Sequence, residues 1–294
     1  MMRTKSLTSF IHIPEVRRRF AETFPKPSFK LDAKILAPPL TRHYSLIGTA
    51  FDYLMRFYLK YLNPESIVST WVAELAVERL RRHPEYFIIR KAHTPDNIER
   101  TLVKADNIIR RAKAVSSTYL QAGNMTDELL ESAIYLAQLD PIFRAGVIDP
   151  NIGIADKEDV KDLRNLISVV DAKIFESEQV CVLNPTFGEA SHLVGGADCD
   201  LLIDDTLIDI KTTKALEIKR DHFNQLIGYY ILSTIGGIDG IPSGVVRNLG
   251  IYLSRYSVLH TIPVTRLTEN PIFSDFRNWF EDKAKEVFNV PVKE

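Results

Sequence analysis

Apolar residues recur at helical spacing from about 44 to 175 and change to alternation and short apolar runs beyond about 178. Residues 44–62 carry Leu46, Ile47, Phe51, Leu54, Met55, Tyr58 and Leu59 in a helical stripe that Asn63-Pro64 ends. A second helix is predicted from about 65 to 82. Thr94-Pro95-Asp96 is a capping residue followed by proline in the first turn, so a helix starts there, and Gly123 stops it. Thr126-Asp127-Glu128 opens another, which Pro141 limits, and Asp156 opens one that runs to about 173. Residues 1–40 mix basic residues with prolines and show little periodicity. They read as an arm with at most one short helix near 14–23. No period of 20–50 residues recurs, which excludes a solenoid.

The strand-like half begins with Gln179 to Leu183, and a second strand fits within 187–194, carrying Glu189 and His192. A hairpin over 195–211 follows, then a helical stripe over 218–235 closed by Gly236-Gly237. A β pair at 249–253 and 258–264 comes next, and Asn270-Pro271 starts a terminal helix whose aromatic stripe suits a core. Mixed strands after a helical half, with a helix between the hairpin and the last strands, give an α/β class: a small mixed sheet flanked by helices. The chain divides into the arm 1–40, a helical portion 41–175 packed on the core, and the core 176–294.

The hairpin carries the candidate chemistry. The stretch reads GGADCDLLIDDTLIDIK, with Asp204-Asp205 as the turn. Counting outward, Ile203 faces Thr206, Leu202 faces Leu207, Asp200 faces Asp209 and Asp198 faces Lys211. Period two then sends Asp198, Asp200, Asp209 and Lys211 to one face, and Cys199, Leu201, Ile203, Ile208 and Ile210 to the other. Opposed carboxylates repel by up to ~1 kcal/mol, a cost that a cation between them removes. Carboxylate ligands suit octahedral Mg²⁺ or Mn²⁺, and Lys211 would lie beside an ion-bound water. The bland alternative is a solvated acidic patch. Asp200 and Asp198 compete for the ligand role; the count favours Asp200, leaving Asp198 to pair with Lys211 or sit behind it. Asp52, on the apolar helix 44–62, needs a base or a metal as partner if buried. Glu189 is a further carboxylate within reach of the sequence pattern.

Composition narrows the classes. With 294 residues, 45% apolar, there is material for one large or two small domains. A net charge of −1 gives no global attraction to nucleic acid, so phosphate contacts must come from local basic patches. Arg17-Arg18-Arg19, and the basic side of the long helix at Lys104, Arg110, Arg111 and Lys113, read first as solvated faces. Two cysteines exclude a four-cysteine metal cluster and point to a reducing, cytoplasmic setting. No apolar run spans a membrane. Neither Gly-x-Ser-x-Gly nor His-Glu-x-x-His occurs.

With Asp200 (or Asp198), Asp209-Ile210-Lys211-Thr212, and Gln225 and Tyr229 on the following helix, the chain resembles the PD-(D/E)XK nucleases, in their RecB-like branch. Gly48-Thr49-Ala50-Phe51-Asp52 is similar to the upstream motif of that branch, with Asp52 where the branch has histidine. The resemblance is specific over about 195–230 and extends to 45–56. It implies a restriction-endonuclease-like core and Mg²⁺- or Mn²⁺-dependent hydrolysis of phosphodiesters, DNA before RNA. It further implies that Asp200, Asp209 and the Ile210 carbonyl hold the ion, with Asp52 or Asp198 adding to the shell. Lys211 would act on the water and the developing charge. Gln225 and Tyr229 would bond phosphate or orient Lys211, a packing role for Tyr229 being the alternative. A nucleic-acid-binding or regulatory subunit on a decayed nuclease scaffold is the competing reading. A homo-oligomer or a partner protein is compatible with either.

Overall fold

The alternating strand segments join in one mixed six-stranded sheet, and the helical stripes cover both of its faces. The structure, a computed structural model, describes residues 6–29, 32–91, 94–239, 241 and 243–288. The ends of the expected arm and core, 1–5 and 289–294, lie outside the described residues.

In chain order the first elements are α1 (Leu7–Ile11), α2 (Pro14–Thr23), α3 (Tyr44–Leu62), β1 (Ile67–Val68), α4 (Val72–Arg82) and α5 (Pro84–Lys91). Next come α6 (Pro95–Ala122), α7 (Asp127–Ala145), α8 (Lys157–Ser168), β2 (Cys181–Leu183), α9 (Glu189–Leu193), β3 (Leu201–Ile203) and β4 (Thr206–Lys211). The last are α10 (Arg220–Gly236), β5 (Asn248–Leu253), β6 (Val258–Pro263), α11 (Thr265–Thr268) and α12 (Phe273–Phe288). The strands lie side by side in sequence order, parallel at β1–β2 and β4–β5 and antiparallel elsewhere. Helix α10 makes the β4-to-β5 crossover that a parallel pair requires.

One apolar core joins α3, α4, α6, α7 and α8 to the sheet face bearing Leu201, Ile203, Ile208, Ile210 and Tyr252. The second joins α1, α2, α9, α10 and α12 to Leu202, Leu207, Leu249 and Ile251. Arg255, just after β5, crosses toward the first layer: its guanidinium bonds Asp162 of α8 at 2.8 and 3.1 Å and the Ala37 carbonyl at 2.9 Å, all of them buried.

Local signals held for α3, α6 and the start of α8: Thr94 and Asp156 cap as expected, and Gly123 closes α6 at φ 70°, while α8 ends at Ser168, short of the expected 173. Other segments differ from the sequence reading. The short helix expected near 14–23 is present as α2, but residues 7–24 are built into the second core, where Phe10 and Phe20 pack edge-on against Phe280, and Phe20 also against Phe276, while Ala37 joins the first core. Residues 67–68 form β1 in place of the start of a helix, because two β-branched residues find a parallel partner in β2. Helix α7 runs through Pro141 to Ala145. The proline forgoes the bond its N–H would make to the Ala137 carbonyl, and the turn beyond it is kept helical with Ile142 buried in the core. The segment 187–194 is a short helix, α9, started at Gly188 with φ 52°.

Candidate functional site

β3 and β4 reverse through Asp204-Asp205, with Ile203 opposite Thr206 and Leu202 opposite Leu207. Asp204 adopts φ 50°, a left-handed conformation that aspartate tolerates. Its carboxylate accepts the N–H groups of Gln179 and Val180 at 2.8 and 3.0 Å, tying the turn to the chain before β2. Ile208 and Ile210 enter the helical core while Leu207 enters the other. Alternation therefore sends Asp209 and Lys211 to the α10 side of the sheet.

The ladder stops one step short of pairing Asp200 with Asp209; its last pair is Leu201 with Ile208. Cys199 joins the α10-side core rather than the face of Leu201. The chain is already leaving strand geometry there, with the Cys199 N–H on the Pro185 carbonyl at 3.0 Å, so period two lapses. Asp200 turns its Oδ2 onto the Ile210 N–H at 2.5 Å. A strand residue's N–H and C=O point the same way, so the Ile210 carbonyl faces that side too.

Lys211 Nζ lies 2.6 Å from Asp209 Oδ2 and donates to Gln225 Oε1 at 3.1 Å. Gln225 Nε2 donates to the Tyr229 hydroxyl at 2.7 Å, so the amide is oriented at both ends. Tyr229 also stacks on Phe187 with ring centroids 5.6 Å apart, and thus bonds and packs at once. Asp198 does not meet Lys211. It bridges to Thr186 and takes a two-pronged contact from Arg144 at 3.0 and 3.4 Å.

Asp52 arrives from the opposite layer. A Cβ on Gly48 would meet the Thr212 Cβ at 4.0 Å, so the start of α3 lies close against the chain leaving β4. One turn on, Asp52 pairs with Arg56, which is buried. Arg144, half exposed, also reaches Asp140 at 3.5 Å, and Asp140 accepts the Tyr53 hydroxyl at 2.6 Å.

Burial, followed by the charges of Asp52 and Asp209, pushes the Asp200 carboxyl well above its usual range. Burial likewise raises Asp209 against the opposing pull of Lys211. Burial works to lower Lys211, but Asp209 and Asp200 outweigh it, so the side chain is a firmly held ammonium. Asp198 is half-buried, and although burial works to raise it, Arg144 holds it below the usual range. Asp140 is pushed up to about 6 by burial, which Arg144 and Tyr53 offset only in part. Five carboxylates (Asp52, Asp140, Asp198, Asp200, Asp209) share three cations (Arg56, Arg144, Lys211). Fully ionised, the network carries two uncompensated negative charges, a costly state for buried groups.

The donors suit a hard divalent cation. Asp52 Oδ1 is a buried carboxylate oxygen without a hydrogen-bond donor, and Asp209 Oδ2 has only the Lys211 ammonium, at 2.6 Å. Their oxygen chemistry and the doubly negative excess both match Mg²⁺ or Mn²⁺. Among the described residues, however, no group of three or more His, Cys, Asp or Glu side chains is arranged as it stands to hold a metal ion. Asp52, Asp198, Asp200 and Asp209 each turn to a protein partner instead.

Glu189 and His192 lie on α9 with exposed side chains and do not join the network. Arg56, Arg144 and Asp140 do join it, and sequence reasoning missed them. Arg56 had a signal, since it stands four residues after Asp52 on one helix face. Arg144 had none once α7 was taken to end at Pro141. In comparisons with known proteins, no family model, curated protein or solved structure matches this chain.

Proposed function

We propose that this chain is a Mg²⁺- or Mn²⁺-dependent nuclease hydrolysing phosphodiester bonds, with DNA the favoured substrate, on a restriction-endonuclease-like core. One observation carries the reading: on the hairpin Asp209 holds Lys211 at 2.6 Å and Asp200 holds the Ile210 N–H, and both carboxyls lie within the field of Asp52 of α3. Asp200, Asp209 and the Ile210 carbonyl would hold the ion, with Asp52 beside them. A bound ion of this kind lowers the pKa of a water and offsets charge growing on the phosphate. Lys211, fixed between Asp209 and Gln225, adds a positive charge where the phosphate oxygens become more negative. Gln225 positions that ammonium, and Tyr229 holds the Gln225 amide. Arg56 aims Asp52, and Arg144 holds Asp198 ionised and aimed.

Gln225→Ala should slow cleavage about tenfold, the equivalent of losing one hydrogen bond of ~1.4 kcal/mol. Gln225→Glu should retain more of the rate than Ala, since an acceptor for Lys211 remains. Equal rates for wild type and Gln225→Ala would remove Gln225 from the mechanism.

The test of the function is incubation with supercoiled, linear and single-stranded DNA in Mg²⁺ or Mn²⁺, with Asp209→Ala as control. Metal-dependent cleavage lost in Asp209→Ala supports the reading; no cleavage of any substrate overturns it. The paired state of every hairpin carboxylate favours a second reading, a nucleic-acid-binding subunit on an inactive scaffold. That reading expects binding without cleavage.

A further inference from the structure

A concentration of positive charge lies at the start of α10, the helix that carries Gln225. Two adjoining surface clefts, of about 410 and 640 Å³, share Arg220 at the start of α10. The first is lined by His12, Arg17, Arg18 and Arg220, and the second by Lys26, Glu217, Lys219 and Arg220 among others. Five cations thus line the pair of clefts with one carboxylate, on a chain whose net charge is −1. Neither cleft includes Asp200, Asp209 or Lys211 in its lining.

The cations are built in to different degrees. Arg220 donates to the Phe20 and Phe24 carbonyls at 2.6 and 2.7 Å and so is fixed in place while keeping its charge. Lys26 donates to the Ile218 carbonyl at 2.8 Å. Arg17 shares Asp221 with His12. Arg18 and Lys219 are exposed, and their carboxylate neighbours, Glu22 and Glu217, stand off at 3.9 and 3.5 Å. Arg19 lies over the Trp279 ring instead. The folded helix therefore sorts the basic run: Arg17 and Arg18 line the cleft and Arg19 packs.

Helix α10 carries a cation of both clefts at its start and a residue of the site further on. Arg220 precedes Gln225 by five residues, about 7.5 Å along the helix axis and about 140° around it, and Gln225 holds Lys211. One strand of a nucleic acid advances about 3.4 Å per phosphate, so this offset spans about two phosphates. His222, between the two ends, is lowered to about 4 by burial and then by Lys211 and Lys219, which puts it within the field of both cations.

From this placement we propose that the α2–α10 cleft binds the phosphodiester backbone of a nucleic acid and leads it to Lys211. The inference rests on the nuclease reading for the destination of the strand, and on the cleft alone for its binding. On this proposal Arg17-Arg18, exposed as expected, is also a phosphate-binding face.

The experiment measures equilibrium binding of a fluorescent 30-nucleotide single strand and of its duplex to the full chain, without divalent metal, across a salt series. The variant is Arg18→Ala/Lys219→Ala, with Arg100→Ala/Arg110→Ala on the exposed side of α6 as a charge-matched control. Losing two phosphate contacts should flatten the log–log salt slope by about 1.4 for the single strand or 1.8 for the duplex. The control should keep the wild-type slope, and Arg18→Lys/Lys219→Arg should restore it. An unchanged slope in Arg18→Ala/Lys219→Ala, or no binding by wild type at low salt, overturns the inference. Cleft-dependent binding without cleavage in Mg²⁺ or Mn²⁺ would sink the nuclease reading alone; cleavage with an unchanged slope would sink only the cleft.

Discussion

Lys211→Ala is expected to lower single-turnover cleavage by roughly 10²-fold or more, the scale of one lost electrostatic contact to a transition state. The ammonium sits 2.6 Å from Asp209 and 3.1 Å from Gln225, so it is positioned before any substrate arrives. Its work falls on charge that appears only as the phosphorus–oxygen bond is made and broken. Nucleic-acid affinity should therefore change little, since one phosphate contact among several carries a small share of binding. Lys211→Arg should recover only part of the rate, because a planar guanidinium cannot occupy the place of a compact ammonium held at those two distances. Removing Lys211 also leaves Asp209 buried beside Asp200 without its cation. The thermal midpoint of each variant must accordingly be measured beside its rate. A folded Lys211→Ala protein that cleaves as fast as wild type would reduce Lys211 to a neutralising partner of Asp209 and take away the main support for the nuclease reading.

The sequence made the hairpin legible because its determinants are local. An Asp-Asp turn flanked by apolar runs sets the register by counting, and Ile203–Thr206 and Leu202–Leu207 pair accordingly. Asp200 escaped the count because the strand ends before it: a register extrapolated past the last ladder bond says where a residue would pair, not that it pairs. Asp52 was visible as a carboxylate on an apolar helix in need of a partner, and the four-residue spacing to Arg56 could have named one. The choice between Lys211 and Arg144 for Asp198 was not legible. It depends on how the end of α7 meets the hairpin, a contact between elements some fifty residues apart. The helix of α2 was legible, since the short helix expected near 14–23 stands at Pro14–Thr23, but its place in the fold was not: Phe10 and Phe20 find their aromatic partners in α12, at the far end of the chain.

A second large effect is expected from metal. The ionic network is two negative charges in excess when ionised, and a divalent cation that binds only the folded chain stabilises it by mass action. At a hundredfold excess over the dissociation constant the gain is about 2.7 kcal/mol, or roughly 5 °C in thermal midpoint for a chain of this size. Wild type should show that rise in millimolar Mn²⁺. Asp200→Asn separates the ion from the fold. Its amide oxygen can still accept the Ile210 N–H, while the negative charge facing Asp52 and Asp209 is gone. Without metal this variant should be no less stable than wild type; with Mn²⁺ its midpoint should stay where it was, and cleavage should be lost. That combination, a site that is better tolerated by the fold once it can no longer work, is what a strained functional cluster gives. If Asp200→Asn melts well below wild type in the absence of metal, the carboxylate is there to tie Asp200 to Ile210. If neither protein responds to Mn²⁺ while wild type still binds nucleic acid, the network is a neutralised remnant and the binding-subunit reading replaces the nuclease.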